Sequence, residues 1–280
     1  MGERLRGAAT PETKEGLQYH IMAKPGDVAR YVLLPGDPER SDLIASLWDE
    51  SRLVAAHREY RTFTGKYKGV DISVTSTGIG SPSTAIAVEE LLRIGADTFI
   101  RVGTMGVIHS WINPGDLVIG VAAVRLEGTS RQYVMEGYPA YAHPEVVMAL
   151  IEAAERLGYR YHVGVIASTD SFYLGQGRPG YRGYMNDSAS RIVPALQEAG
   201  VLGFEMEASA LFTIASIYRA RAGCVCAAVA NRVTGEFVVG AGVREASKLA
   251  SEAVTILKSW DDIKGRYGKK WMYPGLLNGI

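Results

Sequence analysis

Three groups of polar residues stand out by type and spacing. The first sets arginine beside glycine-bearing loops: Arg40 in PGDPER, Arg58 in AHREY, and Arg101 directly before Val102-Gly103-Thr104. Guanidinium groups grip phosphate oxygens with paired donors, and free backbone N–H groups in a glycine loop or at a helix start favour an anion. The loops are Leu34-Pro35-Gly36-Asp37, Thr77-Gly78-Ile79-Gly80 and Val102-Gly103-Thr104-Met105-Gly106, each read as a strand-to-loop junction. Taken singly, each also fits a plain strand-to-helix turn, and Arg40 also fits a solvated helix surface. Arg101 is different, because it interrupts the apolar run TFIRVG, where a charge is rarely placed unless it is paired or binds a ligand.

The second group is Glu205 and Glu207 in GFEMEA, with Met206 between them. Residues two apart in an extended segment share a face, so both carboxylates could accept hydrogen bonds from sugar hydroxyls in one pocket. They also read as acids at the start of the helix ALFTIASIY, matching its dipole. The third group is Phe172 with Gln176 and Arg178 in SFYLGQGR. An amide that donates and accepts, beside a guanidinium that only donates, complements an imide edge, with Phe172 free to stack; the bare tripeptide Gln-Gly-Arg also reads as a turn.

These residues must be held by a scaffold whose signals alternate. YVLL reads as a strand, followed by a helix with Asp37 as N-cap and Pro38 at its first position. The stretch LVAAHREYRTFTGKYKGVDISVTST reads as strands reversing at Lys68-Gly69, and Ser81-Pro82 opens a helix through TAIAVEELLRIG. TFIRVG ends in the loop GTMG; DLVIGVAAVRL and VGVIAST are strands on either side of the helix HPEVVMALIEAAERLG. From Ser171 to Asp187 a long loop carries no periodicity. CVCAAVAN is the last strand, and Ala246, Leu249, Ala250, Ala253, Val254, Leu257 and Trp260 keep helical spacing on a closing helix. Such alternation predicts an α/β fold, its largely parallel or mixed sheet covered on both faces, with ligands at the strand C-terminal ends.

The composition narrows the functions. Of 280 residues 47% are hydrophobic and 21% charged, a balance suited to a folded globular domain. With 30 basic against 30 acidic residues there is no basic field for a phosphate backbone, so no nucleic-acid partner is expected. No apolar run nears the ~20 residues of a membrane span and the leader lacks a signal peptide's apolar core, so a cytoplasmic location is expected. Cys224 and Cys226 read as buried thiols of a reducing compartment, on opposite faces of their strand. There is no G-x-S-x-G, P-loop or HExxH, and Gly78-Ile79-Gly80 lacks the third glycine and following acid of a dinucleotide site.

In order along the chain, PGDPER, AHREY, STGIGSPSTAIAVEEL, FIRVGTMG, SFYLGQGR and GFEMEASALF resemble the nucleoside phosphorylase family, over roughly Leu17 to Trp260. The resemblance implies a three-layer α/β/α, phosphorylase/hydrolase-like fold with a central mixed sheet. It implies one phosphorylase domain over 19–262, between a polar leader at 1–18 and a tail at 263–280. It also implies homo-hexamers built as trimers of dimers, and no organic cofactor, with phosphate as co-substrate. Phosphate would be bound by Gly36, Arg40, Arg101 and Thr104, with Arg58 from a neighbouring subunit. Ribose would be held by Glu205, Met206 and Glu207, with the neighbour's His20 near the 5′-hydroxyl. Gln176 and Arg178 would bind the uracil edge beside Phe172, Arg232 would support the base loop, and Arg178, Gln176 and Arg101 would be the catalytic set. Positions Glu59, Ile79 and Ser83 match those holding a monovalent cation such as K+ between subunits.

The implied activity is reversible phosphorolysis of uridine to uracil and ribose 1-phosphate. Purine-directed members place an aspartate after the last strand, where this chain has Ala230-Asn231-Arg232. The alternatives are a purine nucleoside phosphorylase, a nucleoside hydrolase of the same fold, a noncatalytic nucleoside-binding protein and, remotely, a dinucleotide oxidoreductase.

Overall fold

A computed structural model of the chain describes residues 6–277. In chain order the elements are β1 (Tyr31–Leu34), α1 (Pro38–Ala45), β2 (Glu50–His57), β3 (Tyr60–Tyr67), β4 (Val70–Thr75), α2 (Ser81–Arg93), β5 (Thr98–Val107), β6 (Leu117–Leu126), α3 (Thr129–Tyr133), β7 (Ala140–Tyr141), α4 (Pro144–Leu157), β8 (Tyr161–Thr169), α5 (Asp187–Glu198), β9 (Gly203–Glu205), α6 (Ala208–Ile217), β10 (Arg221–Asn231), α7 (Val243–Tyr267) and α8 (Pro274–Leu277).

The strands form one mixed sheet in the order β10-β6-β8-β9-β5-β1-β4-β3-β2, with β7 beside β6. Strand β10 also pairs with β5, so β10, β6, β8, β9 and β5 close on one another at that end. Helices α1, α4 and α7 pack together on one side, and α2, α3 and α6 on the other. This is the three-layer α/β/α arrangement that the alternating pattern requires, because parallel strands need crossovers that bury both sheet faces. Each of the seven apolar positions read on the closing helix is buried on α7. At α1, Asp37 caps by accepting the Glu39 N–H, with Pro38 at the first position.

Several details differ from the sequence reading. GTMG is not a loop: β5 runs unbroken to Val107, pairing Gly103 with Cys226 and Thr104 with Ala227 of β10. Glycine is required at 103 for packing, since a Cβ there would lie 2.7 Å from Cys226 Sγ and 2.9 Å from Arg101 Nη2. The β-rich stretch reverses at Arg58-Glu59 as well as at Lys68-Gly69, and α5 follows the long loop, capped by Asn186, whose side chain accepts the Ala189 N–H. Cys224 and Cys226 share one face, with Sγ atoms 3.6 Å apart, because strand side chains alternate and i, i+2 neighbours align. Both are buried and unbridged.

The ends of the chain also pack. Helix α7 runs through the boundary expected at 262. In the leader Thr13 and Gln18 are buried, and Glu90 of α2 accepts the backbone N–H groups of His20 and Ile21. Positions 1–5 and 278–280 of the expected leader and tail lie outside the described residues. In the tail, Trp271 stacks on His143 at 5.0 Å and the Met272 N–H donates to Glu145. No described helix is long and apolar enough to cross a membrane.

His143 makes the tail contact sensitive to pH. Its Nδ1 accepts the Glu145 N–H at the start of α4, which requires a neutral ring. Burial pushes its pKa down to about 4; Glu145 opposes the shift, and Arg221 and Lys264 add to it. The unfolded ring takes its proton near the ordinary value of about 6.5, so between those values the unfolded chain binds more protons and stability falls as pH falls. His143→Asn keeps a capping side chain without the titration. Its thermal midpoint, followed from pH 7 to below pH 5, is expected to drop less steeply than that of the parent; parallel slopes contradict the assignment.

Candidate active site

A cavity of about 430 Å³ opens beyond the C-terminal ends of β1, β4, β8 and β10, with the middle of β5 as its floor. One wall is Gly36, Arg40, Arg101 and Thr104; a second is Glu205, Met206 and Glu207; a third is Phe172, Gln176 and Arg178. Apart from Arg58, the three polar groups picked out by type and spacing thus meet in one place.

The centre of the site is ionic. Arg101 Nε donates to Glu205 Oε2 at 2.7 Å, and Nη2 pairs with Glu207; all three side chains are nearly inaccessible to solvent. The charge in TFIRVG is therefore paired within the protein, and its Nη1 is left without a hydrogen-bond partner among the described residues. Burial works against the cation, but Glu207 and Glu205 outweigh it and hold the guanidinium above the ordinary arginine range. Glu207 is held above the usual carboxylate range by burial, against the pull of Arg101.

The Glu205–Glu207 pair faces the cavity and sits at the start of a helix at once. They face one cavity, and Glu205 Oε2 also accepts the Glu207 and Ala208 N–H groups at 2.8 and 2.9 Å, at the positive end of α6. Ser168 at the end of β8 donates to the other Glu205 oxygen. The glycine loop before α2 binds an anion, as its composition suggests, but that anion belongs to the protein: the Gly80 N–H donates to Glu207 Oε1 at 2.7 Å. Gly80 adopts φ 103°, open essentially to glycine alone.

Arg40 lies on the cavity wall, with Nη1 donating to the Val102 carbonyl at 3.1 Å. Its pKa is lowered by burial and then by Arg101, the cost of setting two guanidinium groups side by side. An anion between them relieves that repulsion.

The base-loop residues meet by a different route from the one expected. The segment is not extended: Leu174–Gln176 is a 3₁₀ turn and Gly177 has φ 65°. Gln176 is buried, and its Oε1 accepts from Arg178 Nη1. The guanidinium of Arg178 sits 3.9 Å from the Phe172 ring centre, so one face of that ring is covered by a cation. Burial, with Arg232 nearby, lowers the Arg178 pKa to about 10. Arg232 lies behind the wall, donating to the Gln176 and Gly177 carbonyls at 2.8 and 3.2 Å. Gly106 leaves room for Arg178, whose Nη2 would meet a Cβ there at 3.2 Å.

Two expected residues do not line the cavity of their own chain. Arg58 is exposed, at φ 54°, with its guanidinium over the Tyr19 ring. His20 pairs through Nδ1 with Glu90 at 2.6 Å. At the cation positions, Glu59 and Ser83 flank Gly78, where a Cβ would meet them at 2.8 and 3.4 Å, and Ile79 is exposed at the cavity rim. The sequence reading missed Asp37, Met105, Phe204, Val229 and Phe237 on the walls. Phe237 had a signal, as an aromatic residue opening the otherwise small and apolar run FVVGAG after the last strand.

An α/β/α scaffold whose cavity joins an arginine wall, a carboxylate pair and an amide–guanidinium pair is the arrangement of a phosphorylase. A family model described as the Phosphorylase superfamily matches residues 30–258, which include every wall residue, and the chain belongs to that superfamily. The uridine phosphorylase of Thermococcus kodakarensis is 65% identical over 276 residues, covering 99% of each chain. The guanosine phosphorylase of Halorubrum lacusprofundi is 40% identical over 218 residues, 78% of this chain and 85% of that one. The uridine phosphorylase of Escherichia coli is 41% identical over 221 residues, 78% and 87% of the two chains. At about 40% identity, relatives named for a pyrimidine and for a purine nucleoside stand level.

The buried triad makes Arg101 costly to remove, because two carboxylates would lose their counter-ion. Arg101→Met is expected to lower stability by about 3–5 kcal/mol. Adding Glu207→Gln should restore part of the loss. Chemical denaturation of the parent, the single variants and the double variant checks this, and additive losses contradict the coupling.

Proposed function

We propose that this protein is a uridine phosphorylase that converts uridine and phosphate, reversibly, to uracil and ribose 1-phosphate. The observation that carries the reading is the Gln176–Arg178 pair on the wall facing the arginines, a donor–acceptor set complementary to an imide. The relative that is 65% identical carries the same activity in its name.

In the reaction a phosphate oxygen forms a bond to C1′ as the C1′–N1 bond breaks, and the bonding pair leaves with the base. Arg40, Arg101 and Thr104 orient the phosphate, while Glu205 and Glu207 accept the ribose hydroxyls beside Met206. As negative charge reaches the base, Arg178 stabilises it more than it stabilises bound uridine, and so lowers the barrier. Gln176 orients the imide. No activated nucleophile and no organic cofactor are needed.

A purine reading has one point in its favour, the guanosine phosphorylase relative. Against it stands Asn231, where purine-directed members would carry their acid. Its side chain is buried and spent on the carbonyls of His109 and Ile112 and the N–H groups of Val233 and Thr234. A hydrolase would have no use for the paired Arg40 and Arg101.

The decisive assay is release of base with and without phosphate from uridine, deoxyuridine, cytidine, adenosine, inosine and guanosine. Uridine is expected to lead, with turnover lost when phosphate is omitted. Phosphate-independent release, or a faster purine, overturns the proposal.

Arg58 and His20 are proposed to complete the cavity of a neighbouring subunit in a hexamer built as a trimer of dimers, in the reducing cytoplasm. In that assembly Glu59, Ile79 and Ser83 would hold K+ at the subunit boundary, using the hard oxygen donors of a carboxylate and a hydroxyl. Shared sites predict complementation. Arg58→Ala and Arg178→Ala, refolded together in equal amounts, should recover about a quarter of parental activity, because half the dimers are mixed and each mixed dimer has one intact site. No recovery contradicts the sharing.

A further inference from the structure

We propose that Thr169 is a positioning residue that fixes which way the Gln176 amide faces, and that it thereby sets the preference for an imide base over cytosine. The inference rests on the uridine phosphorylase reading and adds to it a residue that lies outside the cavity wall.

Thr169 is the last residue of β8 and is buried. Its Oγ1 accepts from Gln176 Nε2 at 3.1 Å, while its own hydroxyl hydrogen points to the Ser171 carbonyl at 3.4 Å. On the other side of the amide, Arg178 Nη1 donates to Gln176 Oε1. A guanidinium can only donate, and a hydroxyl whose hydrogen is engaged can only accept. The two neighbours therefore select the same orientation of the amide. A flipped amide would set N–H against N–H at Arg178 and leave two oxygens facing each other at Thr169.

An amide has two N–H donors and two carbonyl lone pairs. Thr169 takes one donor and Arg178 one lone pair, which leaves one N–H and one lone pair for a ligand. An imide edge offers the complement, a carbonyl oxygen for the N–H and an N–H for the lone pair. Cytosine in the same place turns a ring-nitrogen lone pair toward Oε1 and an amino group toward the donor-only Arg178. Both contacts are repulsive, and a locked amide cannot rotate to relieve them. With the Thr169 hydroxyl removed, Nε2 loses its partner and Arg178 alone holds the orientation of the amide, so the flipped form costs less.

The test compares Thr169→Val, which removes the hydroxyl at constant shape, with Thr169→Ser, which keeps it. The readouts are kcat and KM for uridine and the inhibition constant of cytidine. Thr169→Val is expected to raise the uridine KM about 3- to 10-fold with kcat changed less than about twofold, the loss of one hydrogen bond in binding. Cytidine inhibition should stay the same or tighten, so that discrimination narrows, and Thr169→Ser should match the parent. Where the valine variant does not fold, Thr169→Ala reads the same ratio. An unchanged uridine KM, equal weakening of both nucleosides, or a serine variant that behaves like valine overturns the inference while leaving the parent's uridine turnover intact. Absence of uridine turnover in the parent overturns the proposed function and this inference together.

Discussion

The site is organised around one buried cation held between two carboxylates. Arg101 sits in the middle of β5, where a charge is tolerable only because Glu205 and Glu207 meet it there. Those carboxylates come from the short strand β9 and the start of α6, and each is held a second time: Glu205 by backbone N–H groups and Ser168, Glu207 by the Gly80 N–H before α2. The triad therefore ties β5, β8, β9, α2 and α6 to one point. Gly103 keeps the space beside the guanidinium open, and Gly36 lets its loop approach the Gly78 carbonyl, which a Cβ would meet at 3.1 Å.

The two ends of the cavity are built on different terms. The carboxylates at the ionic end are fixed by the fold itself, so in the proposed reaction their acceptor oxygens would be aimed before a sugar arrives, with little ordering left to be done on binding. The base end is a loop held by backbone contacts from Arg232 and by the Phe172–Arg178 stack. That division suits a reaction in which the ribose must be gripped throughout while charge on the base appears only as the bond breaks.

Much of this was legible in the residues. Arg101 in an apolar strand, two glutamates two apart and an amide beside a guanidinium are violations of ordinary patterning, and each lies on the cavity. What the sequence obscured was which partner each residue takes. Glycines in GTMG look like a turn, yet Gly103 lies within a strand, small because of the neighbours Arg101 and Cys226. Gly80 looks like an anion loop and is one, but the anion comes from 127 residues further on. The 3₁₀ turn brings Gln176 and Arg178 together where an extended chain was expected, since Gly177 can take a left-handed conformation. Thr169 carries no local pattern that sets it apart, because a threonine ending a strand is ordinary there. Arg58 and His20 lie off the cavity of their own chain, Arg58 over the Tyr19 ring and His20 on Glu90.

The central claim is that the carboxylates clamped by Arg101 are the acceptors for the ribose hydroxyls. A substrate comparison on the unaltered protein tests it without disturbing the triad: kcat/KM for uridine against 2′,3′-dideoxyuridine at saturating phosphate. Two hydrogen bonds to charged acceptors, each worth about 1.5–3 kcal/mol, are lost together, so the analogue should fall behind by a factor of about 10² to 10⁴. Phosphorolysis of the dideoxynucleoside within about tenfold of uridine, the scale of a lost apolar contact, would contradict the account.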